Sequence, residues 1–149
     1  MTEYESEHME DRGHKCKKSA QGMGKEFVAG EGGVLAGQFL MFSGADDITV
    51  VPCTATGPLI GVAMHDAAVD ETVSVQMDGY HWVTVGTAAN LNPGDWVVSD
   101  ANGYAVEMTC PTAGSYYVMG GYILSTPTDD DDCACLKVQP KVVCEPDRG

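Results

Sequence analysis

The chain has 149 residues, with 22 Asp and Glu against 8 Lys and Arg, a formal net charge of −14. That balance excludes general affinity for DNA or RNA, which needs cationic side chains to displace counterions from phosphates, and it argues against docking on anionic membrane surfaces. A hydrophobic share of 44% excludes wholesale disorder, and the length suits one domain with a real core or two very small ones.

Taken in chain order, the charge divides the molecule. Basic residues stand at Arg12, Lys15, Lys17, Lys18 and Lys25, then not again until Lys137. Residues 1–26 read as an extended arm of mixed charge, with Gly13, Gly22 and Gly24 in it and Tyr4, Met9 and Met23 too scattered to form a core face. The arm lacks the apolar run of a secretory signal, and no stretch of 18 uninterrupted apolar residues occurs, so folding in a reducing cytosol is expected. The body is expected over residues 27–138, beginning at Phe27, with a C-terminal tail over 139–149.

Within the body the signals are those of strands. Runs rich in Val, Ile and aromatic residues occupy 38–43, 48–52, 59–64, 73–77, 81–85, 96–99, 104–108, 116–124 and 133–138, separated by Gly, Pro, Asp and Asn. Val73 to Met77 alternates with period two, as a half-buried strand should. Asp100, Ala101, Asn102 and Gly103 form a hairpin turn in which Gly103 is free to take positive φ, and residues 44–47 play the same part earlier. Residues 66–71 offer one helical turn at best. The expectation is an all-β barrel or sandwich of roughly nine short strands.

An internal echo supports duplication. Residues 35–41 resemble 92–98 at a shift of 57, each a turn with glycine followed by an aromatic and apolar residues. Gly61-Val62-Ala63-Met64 resembles Gly121-Tyr122-Ile123-Leu124 at a shift of 60, and each is followed by an acidic turn and a returning strand. Two such halves can bury their apolar faces against each other.

Candidate chemistry is sparse. Cys133 and Cys135 share one face of a strand, but a metal site would need a second such pair. Cys53 and Cys110 adjoin Pro52 and Pro111 at strand ends, where small buried thiols are common, and a disulfide from Cys144 to Cys133 or Cys135 is the alternative. His8, His14 and Cys16 match no metal-site spacing. His65 beside Asp66 offers a general base and carboxylate, although adjacent strand side chains diverge. Residues 30–33 are glycine-rich without the lysine and helix of a phosphate cradle. Asp129, Asp130, Asp131 and Asp132 read as a solvated hairpin turn that discourages edge pairing; as a cation site, at most two of these carboxylates converge. No catalytic residue, cofactor or resident metal is expected, because residues 26–136 carry no Lys or Arg to stabilise an anionic transition state.

The pieces in their order carry a resemblance. Val34-Leu35-Ala36-Gly37, Leu59-Ile60-Gly61-Val62-Ala63, Asp70-Glu71-Thr72-Val73-Ser74-Val75, the aromatic-flanked strand at 79–85 and the hairpin sequence from Leu91 to Gly103 follow one another over residues 27–138. This set resembles the small capsid decoration, or cement, proteins of tailed bacteriophages. The long charged arm and the tail after Val138 depart from the pattern. The resemblance implies a virion protein, made in the host cytoplasm, that binds the major capsid protein on the outer face of an icosahedral shell. It also implies a homo-oligomer, most simply a trimer, that bridges capsomers, with neither nucleic acid nor membrane as partner. The arm then offers Arg12, Lys15, Lys17, Lys18 and Lys25 to an acidic capsid patch, with Tyr4 and Phe27 as apolar anchors. A high-salt habitat would also produce so acidic a surface.

Two rival classes remain at this point. Trp82, Trp96, Tyr80, Tyr116, Tyr117 and Tyr122 are enough aromatics for a carbohydrate- or ligand-binding platform, with Trp96 expected to pack inside. A hydrolase built on His65 and Asp66 is the other.

Overall fold

The computed structural model describes residues 24–88, 91–109 and 116–144, and these form ten strands and no helix. In chain order they are β1 (Gly24–Ala29), β2 (Phe39–Phe42), β3 (Thr49–Pro52), β4 (Gly61–Ala63), β5 (Thr72–Gln76), β6 (Gly79–Thr84), β7 (Trp96–Ser99), β8 (Ala105–Glu107), β9 (Tyr116–Ile123) and β10 (Cys133–Cys144). The first five close into a barrel in the order β1-β3-β2-β4-β5, with β1 and β3 parallel. The second five form a sheet in the order β6-β10-β9-β7-β8. A parallel bridge between Val85 and Ala105 joins its two outer strands, so this sheet also curls on itself.

The two orders are the same. If β1 to β5 are matched to β6 to β10, every neighbour relation of the first barrel recurs in the second, including the parallel closure. The duplication expected from the sequence is present in the hydrogen-bond register. Phe39 and Leu40 face Val62 and Gly61; Trp96 and Val97 face Tyr122 and Gly121 in the same way, at shifts of 57 and 60. The returning strand differs by one residue from the expected shift: Ala63 faces Val75 and Ile123 faces Leu136, a shift of 61. The acidic turn of the second half is one residue longer.

Conformation repeats with the register. Asp70 and Asp131 hold the equivalent turn position, and both take positive φ, 71° and 64°. Their amides donate to Ala29 O at 2.8 Å and Val85 O at 2.7 Å. Gly61 and Gly121 also correspond. A Cβ at either would collide with the carbonyl of the neighbouring strand, Gln76 O in one and Lys137 O in the other. Glycine is required there because two backbones approach too closely for any side chain.

Alternation fills each barrel. Phe27, Ala29, Leu40, Val50, Ala63, Val73 and Val75 make the first core, and Val83, Val85, Val97, Ala105, Ile123, Ala134 and Leu136 fill the matching positions of the second. Val73 and Val75 are fully buried while Thr72 is exposed and Ser74 half-buried, the period two read from the sequence. Phe39, Cys53, Leu59 and Val62 point out of the first barrel and join the core of the second. One apolar mass therefore welds the barrels. The seam is also polar: Phe39 N donates to Gly103 O at 2.7 Å, Gln38 Nε2 to Asn102 O at 2.9 Å, and Ser99 Oγ to Cys53 O at 3.1 Å.

The hairpin turn at 100–103 forms as expected. Gly103 takes φ 85°, and Asp100 Oδ1 accepts from the amides of Asn102 and Tyr104 at 2.7 and 3.0 Å. Two boundaries move. β1 begins at Gly24, so Lys25 and Glu26 pair with Val75 and Ser74 instead of belonging to the arm. β10 runs on to Cys144, and its residues beyond Val138 pair with β9 after a register shift between Val138 and Lys141.

Candidate functional site

Of the arm residues singled out as partner contacts, Tyr4, Arg12, Lys15, Lys17 and Lys18 lie outside the described residues. Lys25 and Phe27 stand on β1. Lys25 is exposed, with its ammonium 5.5 Å from the Phe27 ring centroid. Phe27 is 4% exposed and packs edge-on against Phe42 at 5.5 Å, so it belongs to the first core and does not serve as a surface anchor. Alternation from Phe27 to Ala29 turns it inward.

The aspartate run serves its own turn and the loop at Ala88. Asp130 Oδ1 accepts from Ala88 N at 2.8 Å, and Asp132 accepts from the amide of Cys133 at 2.9 Å and the hydroxyl of Thr128 at 3.2 Å. Among the described residues no three His, Cys, Asp or Glu side chains gather closely enough to hold a metal ion. The counterpart in the first barrel does the same work: Glu71 Oε1 accepts from Ala68 N at 2.8 Å.

Asp66 Oδ1 accepts from Ala36 N at 2.8 Å. His65 Nδ1 bonds to Asp66 O at 2.9 Å, and His65 Nε2 accepts from Ser74 N at 3.1 Å. With Nε2 accepting, the bond to Asp66 O is donated by Nδ1. In the second barrel Ser125 Oγ accepts from Cys135 N at 2.8 Å at the matching position. His65 is therefore a strand-end acceptor that a serine replaces in the other copy.

His81 is buried on the inward face of β6 beside Val83. Its Nδ1 bonds to Trp82 O at 2.9 Å, while its Nε2 has no hydrogen-bond partner among the described residues. Burial lowers its pKa below the ordinary 6.5, against a smaller opposing effect of the Trp82 carbonyl. Cys53 is buried at the seam between the barrels, its thiol donating to Thr54 O at 3.2 Å, and desolvation raises its pKa to about 11. Cys53 is a free thiol, whereas Cys133 is disulfide-bonded. A bridge at Cys133 is among the possibilities the sequence left open.

The outer face of the second barrel holds the aromatic residues. A row of cross-strand neighbours runs Trp96, Tyr122, Lys137, Tyr80 over β7, β9, β10 and β6. Trp96 and Tyr122 meet edge to face at 5.2 Å, and the Lys137 ammonium lies 5.6 Å from the Tyr80 ring centroid. Lys137 also pairs with Asp78 at 3.2 Å and, by that bond, holds the Asp78 carboxyl below its ordinary pKa. Trp96 was expected inside; Val97 takes the inward position and turns Trp96 outward, where it is half-buried. The matching row of the first barrel, Phe39, Val62 and Gln76, is buried. The side chains of Tyr116 and Tyr117 lie outside the described residues.

The fold and surface define a duplicated β-barrel protein whose polar side chains largely serve its turns and strand ends. Residues 20–138 match the family model of phage cement proteins, and the chain belongs to that family. It is thus a structural protein associated with the virion capsid. Among solved structures it is similar to the N base of the head fiber gp8.5 of bacteriophage phi29, with a TM-score of 0.57 and 19% identity. That likeness, which covers 78% of this chain and 93% of the other, is one of fold. No curated protein matches the chain.

Proposed function

We propose that the protein attaches to the outer face of an assembled icosahedral capsid as a homo-oligomer, a trimer in the simplest case, and bridges neighbouring capsomers without catalysing a reaction. The observation that carries this reading is the cement-family match, which spans both barrels from residue 20 to 138. The physics is consistent with it. Two welded barrels resist deformation, and many identical weak contacts on a lattice give avidity without a tight single site. A body with no Lys or Arg between residues 26 and 136 is repelled by DNA, which suits the outside of a shell.

The arm is proposed as the tether, with Arg12, Lys15, Lys17 and Lys18 reaching an acidic capsid patch. Mixing the purified chain with undecorated capsids should give saturable binding, and its absence would overturn the proposal. Deleting residues 1–22 should leave the β circular-dichroism spectrum intact and weaken capsid binding by about tenfold or more. An unfolded truncation, or unchanged affinity, would remove the arm from this role.

A further inference from the structure

The weld between the barrels has two sides, and duplication means that each side exists twice. The first barrel contributes Gln38, Phe39, Cys53 and Val62; the second contributes Ser99, Asn102 and Gly103. Register carries each side onto the other barrel. Phe39 and Val62 correspond to Trp96 and Tyr122. Cys53 corresponds to Met108: Cys53 N donates to Phe39 O at 2.8 Å, and Met108 N to Trp96 O at 3.0 Å. In the other direction Ser99 corresponds to Phe42, since Phe42 faces Val50 as Ser99 faces Ala105. Gly103 then corresponds to Ile48, at the same shift of 55 that carries Val50 to Ala105.

Both unused sides carry apolar side chains in partial contact with solvent. Phe42 is 38% and Ile48 52% exposed. Trp96, Tyr122 and Met108 are half-buried. The equivalent surfaces are joined within the chain, and these two are their counterparts on the opposite barrels.

We infer that the Trp96–Tyr122 face of one copy docks on the Phe42–Ile48 edge of a second copy, repeating between chains the weld that joins the barrels within one. The contact is heterologous, head to tail, and closes into a ring if its rotation returns to the start. A large aromatic pair meeting an apolar edge supplies the desolvated centre that such an interface needs. The inference deepens the homo-oligomer part of the function proposed above and does not depend on capsid attachment.

Light scattering on the full chain, alongside Trp96→Ala and Ile48→Asp variants, tests it. The unaltered chain should be an oligomer and each variant a folded monomer, with folding read from far-ultraviolet circular dichroism. Mixing the two variants should restore a dimer and nothing larger, because each retains the half the other has lost. Ile48→Asp alters an exposed side chain and so keeps the test open even if Trp96→Ala fails to fold. Variants that keep the full oligomeric mass would overturn this contact and leave oligomerisation standing. A monomeric unaltered chain that still decorates capsids would overturn the contact and leave capsid attachment standing. If Trp96→Ala abolishes glycan or capsid binding without changing mass, the face belongs to those partners instead.

Discussion

At the scale of single residues, His81 carries the clearest chemical signature. Its ring is buried in the second barrel with Nε2 unbonded among the described residues, so the folded chain resists taking up a proton that the unfolded chain accepts. Because the folded pKa lies below the ordinary 6.5, stability is unaffected above that pH. It falls as the pH drops below 6.5 and levels off once the folded pKa is passed. Asp46 and Asp78, held below their ordinary 3.8, lose their contributions only in more acid solution. Denaturant midpoints should therefore decline between about pH 6.5 and 5, the range where histidine titrates, and His81→Leu should flatten that decline. An unchanged slope in the variant would assign the acid sensitivity elsewhere.

At the scale of elements, the strand-end acceptor shared by His65 and Ser125 makes a direct prediction. His65→Ser should stay within about 0.5 kcal/mol of the parent, while His65→Ala, which leaves Ser74 N without its acceptor, should cost about 1 kcal/mol. Urea titration distinguishes these, and equal losses in both variants would show that the ring acts by packing. The same repetition explains what was legible in the sequence. β2, β4, β5 and β7 were readable because β-branched and aromatic runs sit between glycine and aspartate turns, and because equivalent strands echo each other at 57 and 60.

Three features were hidden for physical reasons. β1 opens with Gly24, Lys25 and Glu26, whose partly solvated edge reads as arm, and only Phe27 and Ala29 turn inward. The end of β10 contains Pro140, which a strand accommodates where the register shifts between Val138 and Lys141. Trp96 was assigned to the wrong face because a one-residue change of phase at a strand's start exchanges inside for outside. The surface formed by Phe42 and Ile48 had no linear signal; it emerges only when the two barrels are superposed by register.

At the scale of the whole molecule, two topologically equivalent barrels act as one body. Phe39, Leu59 and Val62 of the first share a core with Val83, Val97 and Leu136 of the second. Removing either barrel would expose that apolar surface, so equilibrium unfolding should be a single transition with fluorescence and circular dichroism coincident. Two resolved transitions would mean that the seam is weaker than its burial implies. The charge is partitioned on the same scale. Residues 27–149 hold 16 acids and three bases, and the first 26 hold six acids and five bases. Two such bodies brought close together repel at low salt, and screening relieves the repulsion.

Cys53 gives the seam a built-in chemical clock. Its sulfur is sealed between the barrels and its pKa is raised to about 11, so at neutral pH it is shielded both from contact and from ionisation. Alkylation of this thiol then waits for the barrels to part. The labelling rate, followed site by site in the mass spectrum, becomes a measure of how often that parting occurs. A chain docked into a ring or onto a shell should label more slowly than the same chain alone, with the delay reporting the mechanical reinforcement that assembly confers.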